Sequence, residues 1–340
     1  MEKTDRSYIR YVRYGVQAYI FFFLLYAGYR FYLFAGQYEN AAQQIPGSPV
    51  VSVVSRPASV EGFLPIGALM SLKLWIMTGV FDRIHPAGLV IFLAALLMAF
   101  FLRKGFCGWI CPVGTLSDLL WRLRRRLFRI QPAMNRRIDV ALRSVKYILM
   151  AFFIYVVFIR MTPESIAGFI EGDYYKVADV KMLYFFTRMT ATTQISLGVL
   201  VLLSLAYRNF WCRYLCPYGA LLGLIAVFSP LRITRNNAAC IHCSRCARHC
   251  PSQLQVESSE RILSPECTGC LTCVSQCPAK GALEVAPHRR YALHPLLFAL
   301  LIVSLFFGSL ATGRLSGKWR SAVTGGEYRR LVPYAASLDH

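Results

Sequence analysis

The residues with the most chemistry in this chain are its twelve cysteines, and eight of them fall into two identical frames. Cys240, Cys243, Cys246 and Cys250 stand as C-x2-C-x2-C-x3-C, followed by Pro251; Cys267, Cys270, Cys273 and Cys277 repeat the frame, followed by Pro278. Three evenly spaced thiolates in a tight loop hold three irons of one [4Fe–4S] cube, and the fourth reaches across to a neighbouring cube, as in the two-cluster run of bacterial ferredoxins. The frames thus assign Cys240, Cys243, Cys246 and Cys277 to one cluster, and Cys267, Cys270, Cys273 and Cys250 to the other. Ligands shared in this way hold the cubes close, as electron exchange between them requires. Structural zinc competes for cysteine pairs, but it has no need of the third cysteine, the x3 spacing or the proline. Disulfides also compete, but they persist in oxidising compartments, and this loop is expected on the cytoplasmic side (below). His242 and His249 lie inside the first frame. No cysteine is missing for them to replace, as a Rieske-type centre would need.

The other four cysteines form two pairs. Cys107 and Cys111 sit in F-C-G-W-I-C-P-V-G, and Cys212 and Cys216 in W-C-R-Y-L-C-P-Y-G. Aligned on these motifs, Arg103 matches Arg208, Phe106 matches Trp211, Trp109 matches Tyr214, Pro112 matches Pro217 and Gly114 matches Gly219. This is an internal repeat of about 105 residues: an apolar segment, C-x3-C-P-x-G, then a further apolar stretch. Residues i and i+4 share one face of a helix, so each motif would present two thiols together, and the repeat could set the pairs opposite each other. Three uses stay open: one redox or metal site built from all four thiols, thiol chemistry within each pair, or small buried residues closing a helix end.

The elements that position these cysteines are apolar helices. Of the 340 residues, 56% are hydrophobic and 16% charged, against about 25% charged in soluble domains. Five spans are expected, at about 14–34, 87–102, 145–160, 194–207 and 295–312. Several are shorter than the ~20 residues a bilayer asks for, and flanking Lys and Arg can extend them. The net charge of +21 suits anionic headgroups and not nucleic acid, because the basic residues cluster beside apolar segments and form no face with interleaved aromatics. The connection 103–146 has eleven Lys or Arg against Asp118 and Asp139; 207–290 has ten against four acidic residues. The connection 36–86 balances Arg56, Lys73 and Arg83 against Glu39, Glu61 and Asp82, and 160–191 is balanced too. The positive-inside rule then places the N-terminus, both basic connections and all twelve cysteines in the cytoplasm, and the tail 313–340 outside. The N-terminus is basic (Lys3, Arg6, Arg10, Arg13) and lacks a small-residue cleavage site, so its apolar run is expected to stay as the first span.

Two further segments flank the spans. Residues 63–81 are apolar with Lys73 near their middle; an interfacial or re-entrant helix keeps the charge alternation, and a sixth span would break it. Leu116, Leu120, Leu123, Leu127 and Ile130 recur every three to four residues with Arg122, Arg124, Arg125, Arg126 and Arg129 between them. That pattern fits an amphipathic helix on the inner leaflet, serving as lipid anchor or docking surface. Lys73, Trp75 and Asp82 on the outer side either border a quinone headgroup or anchor helix ends. His85 and His294 are expected at opposite faces, which excludes bis-histidine haem.

Paired C-x3-C-P motifs behind membrane helices, followed by two ferredoxin frames, resemble the NapH/NosR/CcoG-type membrane polyferredoxins over about residues 85–290. The resemblance implies a membrane-bound electron carrier, a subunit of a quinol dehydrogenase or oxidoreductase system. It would relay electrons between the quinone pool and respiratory redox partners, or, as the alternative, reduce a metal or thiol during assembly of another metalloenzyme. The eight ferredoxin cysteines carry over as cluster ligands, and Cys107, Cys111, Cys212 and Cys216 as membrane-edge cysteines. Neither the large flavin-binding domain of NosR-type proteins nor the folded C-terminal domain of CcoG-type proteins is expected, so a NapH-like architecture is nearest. The expected fold is an all-α polytopic protein of the bacterial inner membrane with a small α+β two-cluster insert: membrane domain 1–235, ferredoxin domain 236–290, and last span with a short outer tail 291–340.

Overall fold

The protein is described here from a computed structural model, which describes residues 8–41, 54–127, 135–288 and 291–338. Lys3 and Arg6 of the basic N-terminus, and Arg129 and Ile130 of the amphipathic row, lie outside the described residues. Helix α1 (Tyr8–Ala41) is followed by a 3₁₀ turn (Ala58–Phe63), α2 (Pro65–Thr78), α3 (Pro86–Leu102), α4 (Pro112–Leu127) and α5 (Arg136–Tyr155). Next come α6 (Pro163–Glu171), α7 (Asp173–Lys176), α8 (Ala178–Thr187), α9 (Ala191–Ala206) and α10 (Pro217–Ala226). The chain then forms β1 (Arg232–Arg235), α11 (Arg245–His249), α12 (Thr272–Gln276), β2 (Leu283–His288) and β3 (Tyr291–Leu293), and ends in α13 (Pro295–Leu315) and α14 (Gly325–Leu331). Proline opens α2, α3, α4, α6, α10 and α13, at the first helical position, where its missing N–H costs nothing.

Among the described residues, three helices are long and apolar enough to cross a membrane: Tyr8–Asn40, Arg137–Arg160 and Pro295–Leu315. The pair α8 and α9, bent by 77° at its break, adds a fourth if counted as one span. Helix α3 is apolar throughout but has 17 residues, short of the ~20 that cross a bilayer core unaided. This is a helical membrane protein with three to four candidate spans by length and composition.

The chain divides into two compact units, and the division falls inside α1, α3, α5, α9 and α13, the five helices that contain the expected spans. One unit comprises residues 1–21, 94–151 and 198–307 and holds all twelve cysteines. Its sheet is antiparallel in the order β1-β2-β3, with Ile233 opposite Val285 and Arg235 opposite Leu283. The sheet begins at Arg232, ahead of the expected domain boundary at 236, because β1 supplies Ile233 to the apolar core under the ferredoxin frames. Val256, Ile262, Leu271, Val274, Leu283 and Val285 complete that core. In α4 the buried face is Ser117, Asp118 and Trp121, whereas Leu116, Leu119 and Leu123 are exposed. Of the expected apolar row, Leu116 and Leu123 are thus exposed and Leu120 is half-buried.

The other unit comprises residues 22–93, 152–197 and 308–340. Its apolar core joins Phe31, Phe34 and Tyr38 of α1 to Val180 and Tyr184 of α8 and Tyr328 and Leu331 of α14. Thr324 and Glu327 form a capping box that starts α14. A buried charge network centres on Arg56, which donates from Nε to Asp179 at 2.7 Å and from Nη1 to Glu61 at 2.6 Å. Its Nη2 lies 3.2 Å from His85 Nδ1. The other oxygen of Glu61 accepts from Gly88 N–H at 2.9 Å, satisfying the start of α3. Lys73 donates to the carbonyls of Val157, Phe158 and Met161, where the helix through α5 ends. Asp82 accepts from Ser71, Tyr175 and the N–H groups of Ile84 and His85. Lys73 and Asp82 therefore both act within the fold as helix-end anchors.

Candidate iron–sulfur centres

The two ferredoxin frames share one unusual backbone. His242 and Ser244 in the first have φ of 52° and 54°; Gly269 and Leu271, at the same places in the second, have 59° and 55°. Left-handed backbone costs a non-glycine residue roughly 1 kcal/mol, so its recurrence at His242, Ser244 and Leu271 marks a geometry that is held for a purpose. Alternating right- and left-handed residues turn successive N–H groups inward and form an anion-binding nest. A cube with four thiolate ligands is such an anion. The nest is already directed at sulfur: His242 N–H hydrogen-bonds the Cys240 thiol and, with Arg235, holds its pKa below the ordinary value. Ser244 and Leu271 then start α11 and α12, each of which carries the third cysteine of its frame.

Cysteines of the two frames lie beside one another. Cys250, from the first frame, lines a cavity with Cys267, Cys270 and Cys273 of the second, closed by Ile233, Val256, Ile262 and Leu271. Burial pushes the Cys250 thiol up to about 12, and the next influences on it include Cys270 and Cys267. Burial likewise pushes Cys246 up to about 11, and Cys277 is among the other groups that act on it. Cys273, raised by burial first, also senses Cys250 and Cys246, so the two groups are neighbours. None of the twelve cysteines is joined in a disulfide. Four thiols gathered in an apolar cavity, desolvated as bare thiols, fit a cluster whose irons would supply the missing positive charge.

The C-x3-C-P motifs depart from the expectation of two thiols on one helical face. Phe106–Ile110 and Trp211–Leu215 are π-helical turns, closed by Cys111 N–H to Phe106 O at 2.9 Å and Cys216 N–H to Trp211 O at 3.0 Å. A residue before proline is driven out of the α region, and Cys111 and Cys216 are indeed extended, with ψ of 122° and 104°. Each second cysteine thereby becomes the N-cap of the next helix. Cys216 Sγ accepts from Gly219 N–H at 3.2 Å, and Cys111 receives N–H bonds from Gly114 and Val113. The glycine is needed at this third position because a Cβ on Gly114 would lie 2.5 Å from the Cys107 carbonyl oxygen.

Arginines that sequence reasoning aligned but gave no task tie these turns to the ferredoxin frames. Arg103, 1% exposed with φ of 59°, donates to Ala226 O at 2.8 Å and Ser264 O at 2.6 Å. Its repeat partner Arg208 donates to His249 O at 3.2 Å. Arg213 makes a bidentate pair with Asp139, both bonds 2.8 Å, and also reaches Ser252 O. Lys146 donates to both oxygens of Glu266, beside Cys267, at 2.6–2.7 Å. Burial works to raise the Glu266 carboxyl, but Lys104 and Lys146 outweigh it and hold it below its ordinary value.

Residues 84–131 and 191–236 each match the family model described as a 4Fe-4S binding domain, and residues 232–278 match the one described as a 4Fe-4S dicluster domain. YccM of Escherichia coli (strain K12) is 39% identical over 93% of this chain and 88% of its own length. The regulatory protein NosR of Pseudomonas aeruginosa is 32% identical over 50% of this chain and 23% of NosR. The ferredoxin-type protein NapH of Haemophilus influenzae is 28% identical over 57% of this chain and 68% of NapH. No solved structure matches. With its apolar helices, its two ferredoxin frames and these relatives, the chain belongs to the membrane polyferredoxins, the iron–sulfur electron-transport proteins of the NapH, NirI and NosR type.

Proposed function

We propose that this protein relays electrons between the quinone pool and a respiratory redox partner through two [4Fe–4S] clusters. One is held by Cys240, Cys243, Cys246 and Cys277, the other by Cys267, Cys270, Cys273 and Cys250. The observation that carries this reading is the exchange of fourth cysteines: Cys250 shares a cavity with the first three cysteines of the second frame, and Cys277 acts on Cys246 of the first. When bound, each cube supplies a one-electron couple. The chain's own part is to hold the sulfurs, exclude water and fix the local field. Ile233, Val256, Ile262 and Leu271 keep the second site dry. Arg13 and Arg208 both interact electrostatically with Cys270, and positive charge there favours the reduced, more negative cluster.

In this reading α1, α3, α5, α9 and α13 cross the inner membrane, with the N-terminus and clusters in the cytoplasm and the tail outside. The exposed leucines of α4 would rest in the inner leaflet. A maturation or regulatory factor is the alternative, in line with the relative NosR being a regulatory protein. Anaerobic EPR of the purified holoprotein separates the two. Reduction of the clusters by a soluble quinol is expected. Clusters that quinol leaves oxidised, while dithionite reduces them and they in turn reduce a metal ion or disulfide, would overturn the relay.

A further inference from the structure

The two ferredoxin frames are equal in spacing and unequal in surroundings. In the second, the two residues between the first cysteines are covered by the chain itself. A Cβ on Gly108 would lie 2.6 Å from Thr268 O, and a Cβ on Gly269 would lie 3.2 Å from Leu102 O. Trp109 Nε1 donates to Gly269 O at 3.0 Å. In the first frame the same two places hold Ile241 and His242, and both are exposed, Ile241 at 64%.

The frames differ in charge as well. Residues 267–277 contain no charged side chain, whereas residues 240–250 contain Arg245, Arg248, His242 and His249 and no acidic one. Arg248 is exposed, and its Nη2 donates to Cys243 O at 2.8 Å, which holds a guanidinium at the edge of the cysteine loop. Its counterpart in the second frame, Ser275, is buried. Two carboxylates lie nearby, and both are engaged: Glu257 Oε2 is 3.8 Å from Cys246 Sγ, and Glu260 accepts from Asn237 at 2.7 Å. The frame's own arginines are left to set the sign of the loop.

We propose that the exposed first frame, with Ile241, His242, Arg245 and Arg248, is the docking surface for an acidic redox protein, and that electrons leave the chain there. The proposal rests on the two-cluster relay, to which it adds the exit and the charge of the partner. An apolar side chain that contact can desolvate, with charged groups around it, has the make-up of a protein interface. Opposite charge steers the encounter and orients it. A second copy of this chain, at net charge +21, would be repelled from a basic face. Gly108 and Trp109 leave the second loop no room for an outside turn, so the first loop is the one open to a partner. Each encounter passes one electron: the first frame's centre loses it and the partner's centre gains it, with no bond or proton changed. Two such losses are made good by one quinol, which becomes quinone and releases two protons.

The test uses the full-length holoprotein, purified anaerobically in detergent, reduced with dithionite and freed of it. It is mixed in a stopped-flow instrument with an acidic soluble acceptor, cytochrome b5, or a basic one, cytochrome c. The rate to cytochrome b5 should fall about tenfold as salt rises from about 20 to about 500 mM, and the rate to cytochrome c should not fall. Arg245→Glu with Arg248→Glu should slow cytochrome b5 about tenfold at low salt and weaken its binding to the oxidised holoprotein by a similar factor. Ile241→Asp should slow it too. The same charge reversal at Arg125 and Arg126 of α4 should change either quantity by no more than about twofold. A rate to cytochrome b5 that ignores salt, or an equal loss in the α4 control, overturns the docking surface. A dimer of the holoprotein that Ile241→Asp dissolves would make this face a self-contact and also overturns it. In each of these cases an intact iron content and dithionite-reduced EPR spectrum leave the two-cluster relay standing, whereas unmodified protein without clusters defeats the relay itself. The salt dependence of the unmodified protein decides the matter even if a variant fails to fold.

Discussion

Gly108 and Thr268 meet so closely that a Cβ on Gly108 would lie 2.6 Å from the Thr268 carbonyl oxygen. The neighbouring Trp109 ties the same turn to Gly269, and Gly108 O accepts from Gln17 Nε2 at 3.0 Å. The first thiol-pair motif is thus the seat of the loop between Cys267 and Cys270. Its conformation and that of the second ferredoxin frame cannot vary independently.

Gly108→Ala should therefore move that loop. Overpacking of this kind costs about 1–3 kcal/mol. The expected readout is a lower melting temperature together with altered EPR g-values for one cluster. Gly168→Ala, where a Cβ meets nothing within 4 Å, should leave both unchanged. Identical spectra for Gly108→Ala and the unmodified protein would show that the seat does not set the loop.

Asp139 and Arg213 hold the second motif. The carboxylate also accepts from Tyr214 Oη at 2.6 Å, so Asp139→Leu would strand a guanidinium that is 6% exposed and a phenol. Breaking one side of a buried pair costs about 3–5 kcal/mol; the lower end is expected here because Asp139 is partly solvated. Adding Arg213→Met removes the stranded charge, so the double variant should be more stable than Asp139→Leu alone. Thermal unfolding in detergent reads both, and additive losses would contradict the pairing.

His85 gives a pH dependence. Burial works to lower its pKa, but the hydrogen bond to Glu61 and the charges of Asp179 and Glu61 outweigh burial and opposing Arg56, and the folded value is raised. Its Nε2 faces the Tyr175 carbonyl at 2.7 Å. A raised value means that protonated His85 contributes stability in full below the unfolded pKa of about 6.5 and that this contribution is lost as pH rises through the higher folded value. Melting temperature should fall from this source as pH rises above about 6.5, and His85→Gln should flatten that slope. An unchanged slope in the variant would remove His85 as its origin.

Much of the site was legible in the residues because thiolate ligation needs fixed spacing. The two frames and the repeat around Cys107 and Cys212 follow from that, and so does the proposal that Cys250 and Cys277 exchange between clusters. The helix starts at Pro86, Pro112, Pro217 and Pro295 follow from the fixed φ of proline. The same proline chemistry defeats the picture of two thiols on one helical face, since Cys111 and Cys216 precede proline and must leave the helix. Arg103 and Arg208 were visible as an aligned pair, but their targets, the carbonyls of Ser264 and His249, depend on tertiary contact. In α4 the buried side holds Ser117 and Asp118 with Trp121, which the spacing of its leucines does not predict. The network of Arg56, Glu61, His85 and Asp179 joins distant segments with no period to betray it.

The central claim is that thiols from both frames hold each of two neighbouring [4Fe–4S] clusters. It is tested most directly by Cys273→Ser in the anaerobically purified full-length protein, read by iron content and EPR after dithionite reduction. The account predicts a loss of about four irons per chain and collapse of the spin–spin splitting between neighbouring cubes to the signal of one. Iron content and a spectrum indistinguishable from those of the unmodified protein would contradict it.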